Sequence, residues 1–126
     1  MAKTVHTNGA PEAIGPYSQA VVHNGIVFTS GQIALNPVNG QVEAQTIEEQ
    51  TEQVMKNLKA VLEAAGSSLE LAVKTTCFLK NMSDFAAFNS IYGAYFTGKP
   101  ARSCVAVKEL PKDVLVEVEV IAALAE

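Results

Sequence analysis

Apolar and polar positions alternate along this chain with two distinct periods, and the changes of period mark out its elements. Ala20–Thr29 reads as strand, turn and strand, with Asn24-Gly25 supplying the two positive-φ residues of a tight hairpin. A second such pair, Asn39-Gly40, follows Pro37 in the loop ALNPVNGQV. Thr46, with Glu49 three residues on, forms a capping box. From there Ile47, Val54, Leu58, Val61, Leu62 and Ala65 recur at helical spacing until Gly66, which predicts a helix over 46–65. The β-branched stretch Leu71–Leu79 predicts a strand. Its alternating sets, Val73/Thr75/Cys77/Leu79 and Ala72/Lys74/Thr76/Phe78, are both partly apolar, as in a sheet covered on two sides.

Ser83 is placed to cap a second helix, in which Phe85, Phe88, Tyr92, Tyr95 and Phe96 form an aromatic stripe ending near Gly98 and Pro100. Ala101–Val107 and Val114–Leu124 then read as strands joined through ELPKD. The order strand, strand, helix, strand, helix, strand, strand is that of an α+β sandwich. Two helices cover one face of such a sheet. A second copy of the chain is the expected cover for the other.

Composition narrows the class. Apolar residues make up 48% of the chain and charged ones 17%, against a usual share near ~25%. A chain of 126 residues is expected to form one domain, 1–126, with apolar surface left over for association. The net charge of −4 argues against nucleic acid as the main partner. Cys77 and Cys104 lie far apart, so neither a disulfide scaffold nor a Cys-type zinc site is expected. The start, MAKTVHTNGA, lacks the apolar core of a signal peptide, and no apolar run approaches the ~20 residues of a membrane span. A cytoplasmic protein without a membrane partner is the expectation.

Phosphate-binding glycine loops and the G-x-S-x-G elbow are missing, and His6 and His23 stand alone. The basic residues are more informative: eight are Lys and one is Arg, Arg102, within the strand KPARSCVAV. A guanidinium binds carboxylate or phosphate through two parallel hydrogen bonds, which an ammonium cannot copy. It serves equally in an ion pair with a strand glutamate, and the sequence leaves both readings open. In VLVEVEVIA, Val114, Val116, Val118 and Val120 fill one face, and Leu115, Glu117, Glu119 and Ile121 the other. The two acids form either a solvated face or a partly buried one, where a carboxylate needs a partner or a task. Arg102, Cys104 and Ala106 also share a side, so a guanidinium, a thiol and carboxylates would line one cleft if the two strands were neighbours. No histidine or lysine motif beside Cys104 would lower its pKa, which favours a packing role over a nucleophilic one. Tyr17, in IGPYSQA, and Ser30-Gly31, after the second strand, occupy loops where binding groups are often carried.

Four blocks, APEAIGPYSQAV, FTSGQIALNP, VKTTCFLKNMSDFAAFNSIY and PARSCVAVKELPKDVLVEVEVIA, span nearly the whole chain and resemble the Rid (YjgF-type) family of reactive-intermediate deaminases. The resemblance implies a chorismate-mutase-like α+β fold, with a mixed sheet, two helices on one face, and a homotrimer whose sheets face the centre. It implies clefts between subunits in which small 2-imino acids, or their enamine tautomers, are hydrolysed to 2-oxo acids and ammonia. By position, Arg102 matches the family's carboxylate-binding arginine and Glu117 its water-handling glutamate. Tyr17 matches the pocket tyrosine, Cys104 the cysteine beside the ligand, Ser30-Gly31 the amide-bearing turn, and Asn89 a pocket asparagine on the second helix. The known fold also allows another strand to lie between the last two. No metal or cofactor is implied, because an imine is already electrophilic. Two rival functions have been described in the family: a translation-inhibiting ribonuclease, which the acidic charge disfavours, and a non-catalytic regulatory binder of small carboxylates.

Overall fold

The computed structural model describes residues 2–126. Its strands are β1 (Lys3–Val5), β2 (Ala20–His23), β3 (Ile26–Thr29), β4 (Ala72–Leu79), β5 (Ala101–Ala106) and β6 (Val116–Ala123); its helices are α1 (Ile47–Ala64) and α2 (Phe85–Tyr95). All six strands join one sheet in the order β1-β2-β3-β6-β4-β5. Pairing is antiparallel everywhere except between β4 and β5. Parallel neighbours need a crossover, and α2 supplies it. Among the described residues no helix is long and apolar enough to cross a membrane.

Local chemistry accounts for the boundaries. Asn24 and Gly25 both take positive φ (52° and 78°), the hairpin geometry expected of that pair. Thr46 and Glu49 form the reciprocal capping box on α1. At its other end Gly66 (φ 88°) donates to Glu63 and Ser67 N–H donates to Leu62, a left-handed termination that satisfies the last carbonyls. Ser83 does not cap the second helix. A 3-10 turn, Met82–Asp84, leads into α2, and Asp84 occupies the cap position without a side-chain bond. The last strand begins at Val116, because a second such turn, Pro111–Asp113, takes up the residues just before Val114. β1 has no counterpart in the hydrophobic pattern. Three residues with one partly buried side chain carry too little periodicity to be read, and pairing with β2 is what makes them a strand.

One face of the sheet meets the helices. Val116, Val118, Val120, Cys77, Leu79 and Val27 are buried there against Val54, Leu58, Val61 and Leu62 of α1 and Phe88 of α2. The opposite face carries Phe78, Glu119 and Ile121 half-buried, with Phe28 and Val105 exposed. An irregularity between Ala72 and Lys74 breaks the alternation of β4 and leaves Val73 outside it.

Leu58→Ala empties a fully buried position and is expected to cost about 2–5 kcal/mol in urea unfolding at fixed protein concentration. Val38→Ala, at an exposed loop tip, stays within about 0.5 kcal/mol of the parent. Equal losses in the two variants would contradict this placement of the core.

Candidate functional site

Sheet order decides which candidate residues meet. β4 lies between β5 and β6, so the strands of Arg102 and Glu117 are not neighbours. Arg102 and Cys104 are in register with Thr75 and Cys77, which are in turn opposite Val120 and Val118. That is the helix-covered face. Glu117 is opposite Phe78, on the other face. The single cleft of guanidinium, thiol and carboxylates therefore does not exist within one chain. In its place are two candidate half-sites on opposite sides of the sheet.

The first is built on α2. Phe85, Asn89 and Tyr92 are spaced i, i+4 and i+7, so they share one face of the helix, and Arg102 lies across that face. Its guanidinium carbon sits 4.7 Å from the Tyr92 ring centre and 5.4 Å from that of Phe85. Arg102 Nη1 donates to Asn89 Oδ1 at 2.6 Å. Tyr92 is itself held by a 2.7 Å hydrogen bond between its hydroxyl and that of Thr75, and by stacking on Phe96. Among the described residues the ion pairs are His6–Glu12 and Lys80–Asp113, so no strand glutamate neutralises Arg102. The aromatic faces stabilise the cation without consuming its donors, and most of the fork stays available to an anion. A shallow cavity of about 540 Å3 opens here, lined by Asn89, Tyr92, Lys99 and Arg102.

Cys104 lies two residues along β5 from Arg102, beside Cys77. Burial pushes the Cys104 thiol up, against a smaller downward pull from Arg102. Burial also pushes the Cys77 thiol up, to about 12, opposed by its hydrogen bond to Thr75. Both thiols stay protonated at neutral pH, which suits packing and not nucleophilic attack.

The second half-site surrounds Glu117 in a cavity of about 610 Å3, whose lining includes Tyr17, Ser30, Gly31, Gln32 and Pro111. Burial raises the Glu117 pKa above its ordinary value, and the neighbouring Glu119 charge raises it further. No hydrogen bond from another described residue reaches this carboxylate. Gly31 makes room for it: a Cβ at position 31 would overlap the Glu117 carboxylate, with Cδ at 2.9 Å. Ser30 is fixed by its N–H to Gln19 O at 2.9 Å and its hydroxyl to Ser18 O at 2.5 Å. Gln32 exchanges main-chain bonds with Val118, which leaves the Gly31 N–H between them without a main-chain partner among the described residues. Tyr17 is more than half exposed on the same cavity. In the sequence, Phe85 and Tyr92 stand out only as members of the second helix's aromatic stripe. Their helical spacing around Asn89 was the signal that could have linked them to Arg102.

Among the described residues no cluster of three or more His, Cys, Asp or Glu could hold a metal ion. The mixed sheet with two helices on one face is a chorismate-mutase-like α+β fold. Residues 7–124 match the family described as Endoribonuclease L-PSP, and the chain belongs to that family, the YjgF or Rid family its motifs resemble. It is 55% identical over 121 residues to a protein of Lactococcus lactis subsp. lactis (strain IL1403) that carries a regulator's name, AldR, covering 95% of this chain and 96% of that one. It is 49% identical over 126 residues to the 2-iminobutanoate/2-iminopropanoate deaminase of Escherichia coli (strain K12), covering 97% and 98%. The solved structure of E. coli TdcF with bound serine superposes with a TM-score of 0.91 at 42% identity, covering 98% of this chain and 99% of that one.

Gly31→Ala is expected to push the Glu117 carboxylate out of its burial, so its pKa falls back toward 4.5. NMR titration of the Glu117 carboxyl carbon reads this directly. An unchanged titration would mean that the close approach does not hold the carboxylate.

Proposed function

We propose that this protein hydrolyses small 2-imino acids and their enamine tautomers to 2-oxo acids and ammonia. The observation that carries the reading is Arg102, the chain's only arginine, held by two aromatic rings and Asn89 with no carboxylate partner among the described residues. Such a group is prepared for a substrate carboxylate. The other requirement is a base for water, and Glu117 suits it, because a carboxylate with a raised pKa takes a proton more readily. The deaminase name of the E. coli relative and the serine bound to TdcF support the same substrate class.

The two half-sites face opposite ways in one chain, so the working cleft would be intermolecular. One copy would bring Arg102, Asn89 and Cys104 to the Glu117, Tyr17, Ser30 and Gly31 of another. A homotrimer closed around its axis gives every copy both roles and covers the sheet face that carries Phe28 and Val105. Arg102 grips the carboxylate and fixes the imine carbon next to a water on Glu117. Glu117 takes a proton as the water oxygen bonds to that carbon. For the protonated imine, the C=N π pair moves to nitrogen in this attack and a neutral carbinolamine results. The protonated Glu117 then gives its proton to that nitrogen, with Tyr17 helping to place it. The C–N bond breaks, ammonia leaves, and the hydroxyl oxygen forms the C=O bond as its proton passes back to Glu117 and on to solvent. Attack by water needs no thiolate, in keeping with the protonated Cys104.

Purified protein, added to a pyridoxal-phosphate dehydratase acting on threonine or serine, should speed release of 2-oxobutanoate or pyruvate. No acceleration would sink the reading. RNA binding that weakens steeply with salt, together with cleavage, would favour the ribonuclease reading instead.

Arg102→Lys keeps the charge but loses the fork, and most activity should go with it. Full turnover by a folded Arg102→Lys protein would remove Arg102 from the anchor role. Glu117→Gln should still bind 2-oxobutanoate while hydrolysis slows by at least ~10²-fold. In the parent, activity should decline as pH falls through the raised Glu117 pKa, since only the ionised carboxylate accepts the proton, and this acid limb should vanish from the residual activity of Glu117→Gln.

Cys104→Ala should retain measurable turnover. A covalent adduct trapped on Cys104 during the reaction would contradict that expectation.

A further inference from the structure

The walls of the Glu117 cavity are mostly loops: residues 11–17, residues 30–35 and the turn at 111–112. Loops without a regular ladder must find other partners for their main-chain groups. Here the first two walls are each tied to a carboxamide, and a third carboxamide holds the chain between the turn and Glu117. All three are almost wholly buried: Gln19 (2% exposed), Asn57 (0%) and Gln50 (5%).

Gln19 Nε2 donates to the carbonyls of Pro11 (2.8 Å) and Thr7 (3.0 Å), while its Oε1 accepts from Thr7 N–H (2.7 Å). That bond set anchors the start of the loop bearing Tyr17. Asn57 Nδ2 donates to Leu35 O (3.0 Å) and Ile33 O (3.2 Å), and Gln53 Nε2 donates to Asn57 Oδ1 (2.9 Å), which fixes the way the amide points. These hold the segment that carries Gly31. Gln50 Oε1 accepts from Leu115 N–H (2.8 Å) and its Nε2 donates to Ala44 O (3.1 Å), which secures the chain just before Glu117. Apolar side chains would fill a core more simply. An amide in each place fixes main-chain position as well as volume.

We propose that Gln19, Gln50 and Asn57 are positioning residues: Gln19 and Asn57 hold two walls of this cavity, and Gln50 holds the chain leading into Glu117, with Asn57 dominant because its segment includes Gly31. This rests on reading the cavity as the water-handling half of the active site. Asn57→Asp is nearly isosteric but turns a donor facing two carbonyls into an acceptor. Gln53→Ala is milder, removing only the bond that orients Asn57.

Hydrogen exchange by mass spectrometry should show amides in 30–35 exchanging faster in Asn57→Asp, with β4 and α2 unchanged. In the dehydratase-coupled assay kcat should fall at least ~10-fold, while the Kd for 2-oxobutanoate, gripped at Arg102 on the other face, stays within ~3-fold. Gln53→Ala should move both readouts the same way by less, and it decides the matter if Asn57→Asp fails to fold. Exchange that rises evenly along the chain, or an unfolding midpoint that drops while kcat of the folded protein is unchanged, would reduce these amides to stabilising groups and overturn the proposal. A parent protein that does not turn over imines would sink the functional reading instead, and the exchange pattern alone would then decide whether the amides position the walls.

Discussion

Successive side chains of a pleated strand point to opposite faces, and in this sheet that simple constraint governs where the chemistry can be. β4 separates β5 from β6, and the register across it puts Arg102 on the helix-covered face and Glu117 on the open one. No rotamer can carry either group through the sheet to the other. A site that uses both must draw them from different copies, so on the proposed reading association and catalysis have one cause. The same open face carries Phe28 and Val105, apolar groups that a lone chain would leave to water.

Each half-site is shaped by the element behind it. On the covered face, α2 completes the parallel crossover and thereby lays Phe85, Asn89 and Tyr92 along Arg102. Aromatic rings attract a guanidinium without occupying its hydrogen-bond fork, whereas a glutamate would have neutralised it. On the open face, partial burial beside Glu119 raises the Glu117 pKa, and Gly31 allows main chain to approach the carboxylate closely. The contrast follows from solvation and charge: one side holds a permanent cation, the other a carboxylate made costly to ionise.

Much of the fold was legible in the chain itself. The Asn24-Gly25 hairpin, the Thr46/Glu49 capping box, the helical repeat from Ile47 and the alternation of β6 are local patterns, and each is present where it was expected. The failures were local as well. Ser83 has a capping side chain, but a 3-10 turn displaces it from the cap, and β1 is too short to have a period. Within the candidate site, side chains on one strand or one helix could be grouped by spacing, as with Arg102 and Cys104, and the family motifs supplied Asn89 and the rest.

What the sequence by itself determined was the inventory of elements apart from β1, the residues sharing a face within each, and the family to which the chain belongs. These depend on period, propensity and motif, which act between residues close in the chain. Only the tertiary structure decided that β4 lies between β5 and β6, that Glu117 rests against Gly31, and that three buried carboxamides hold two walls of one cavity and the chain leading into Glu117. Those relations join residues as far apart as Gln50 and Leu115. They depend on which strand takes which edge and which helix lies over it, a choice made by burying the whole apolar face at once and not by any one segment.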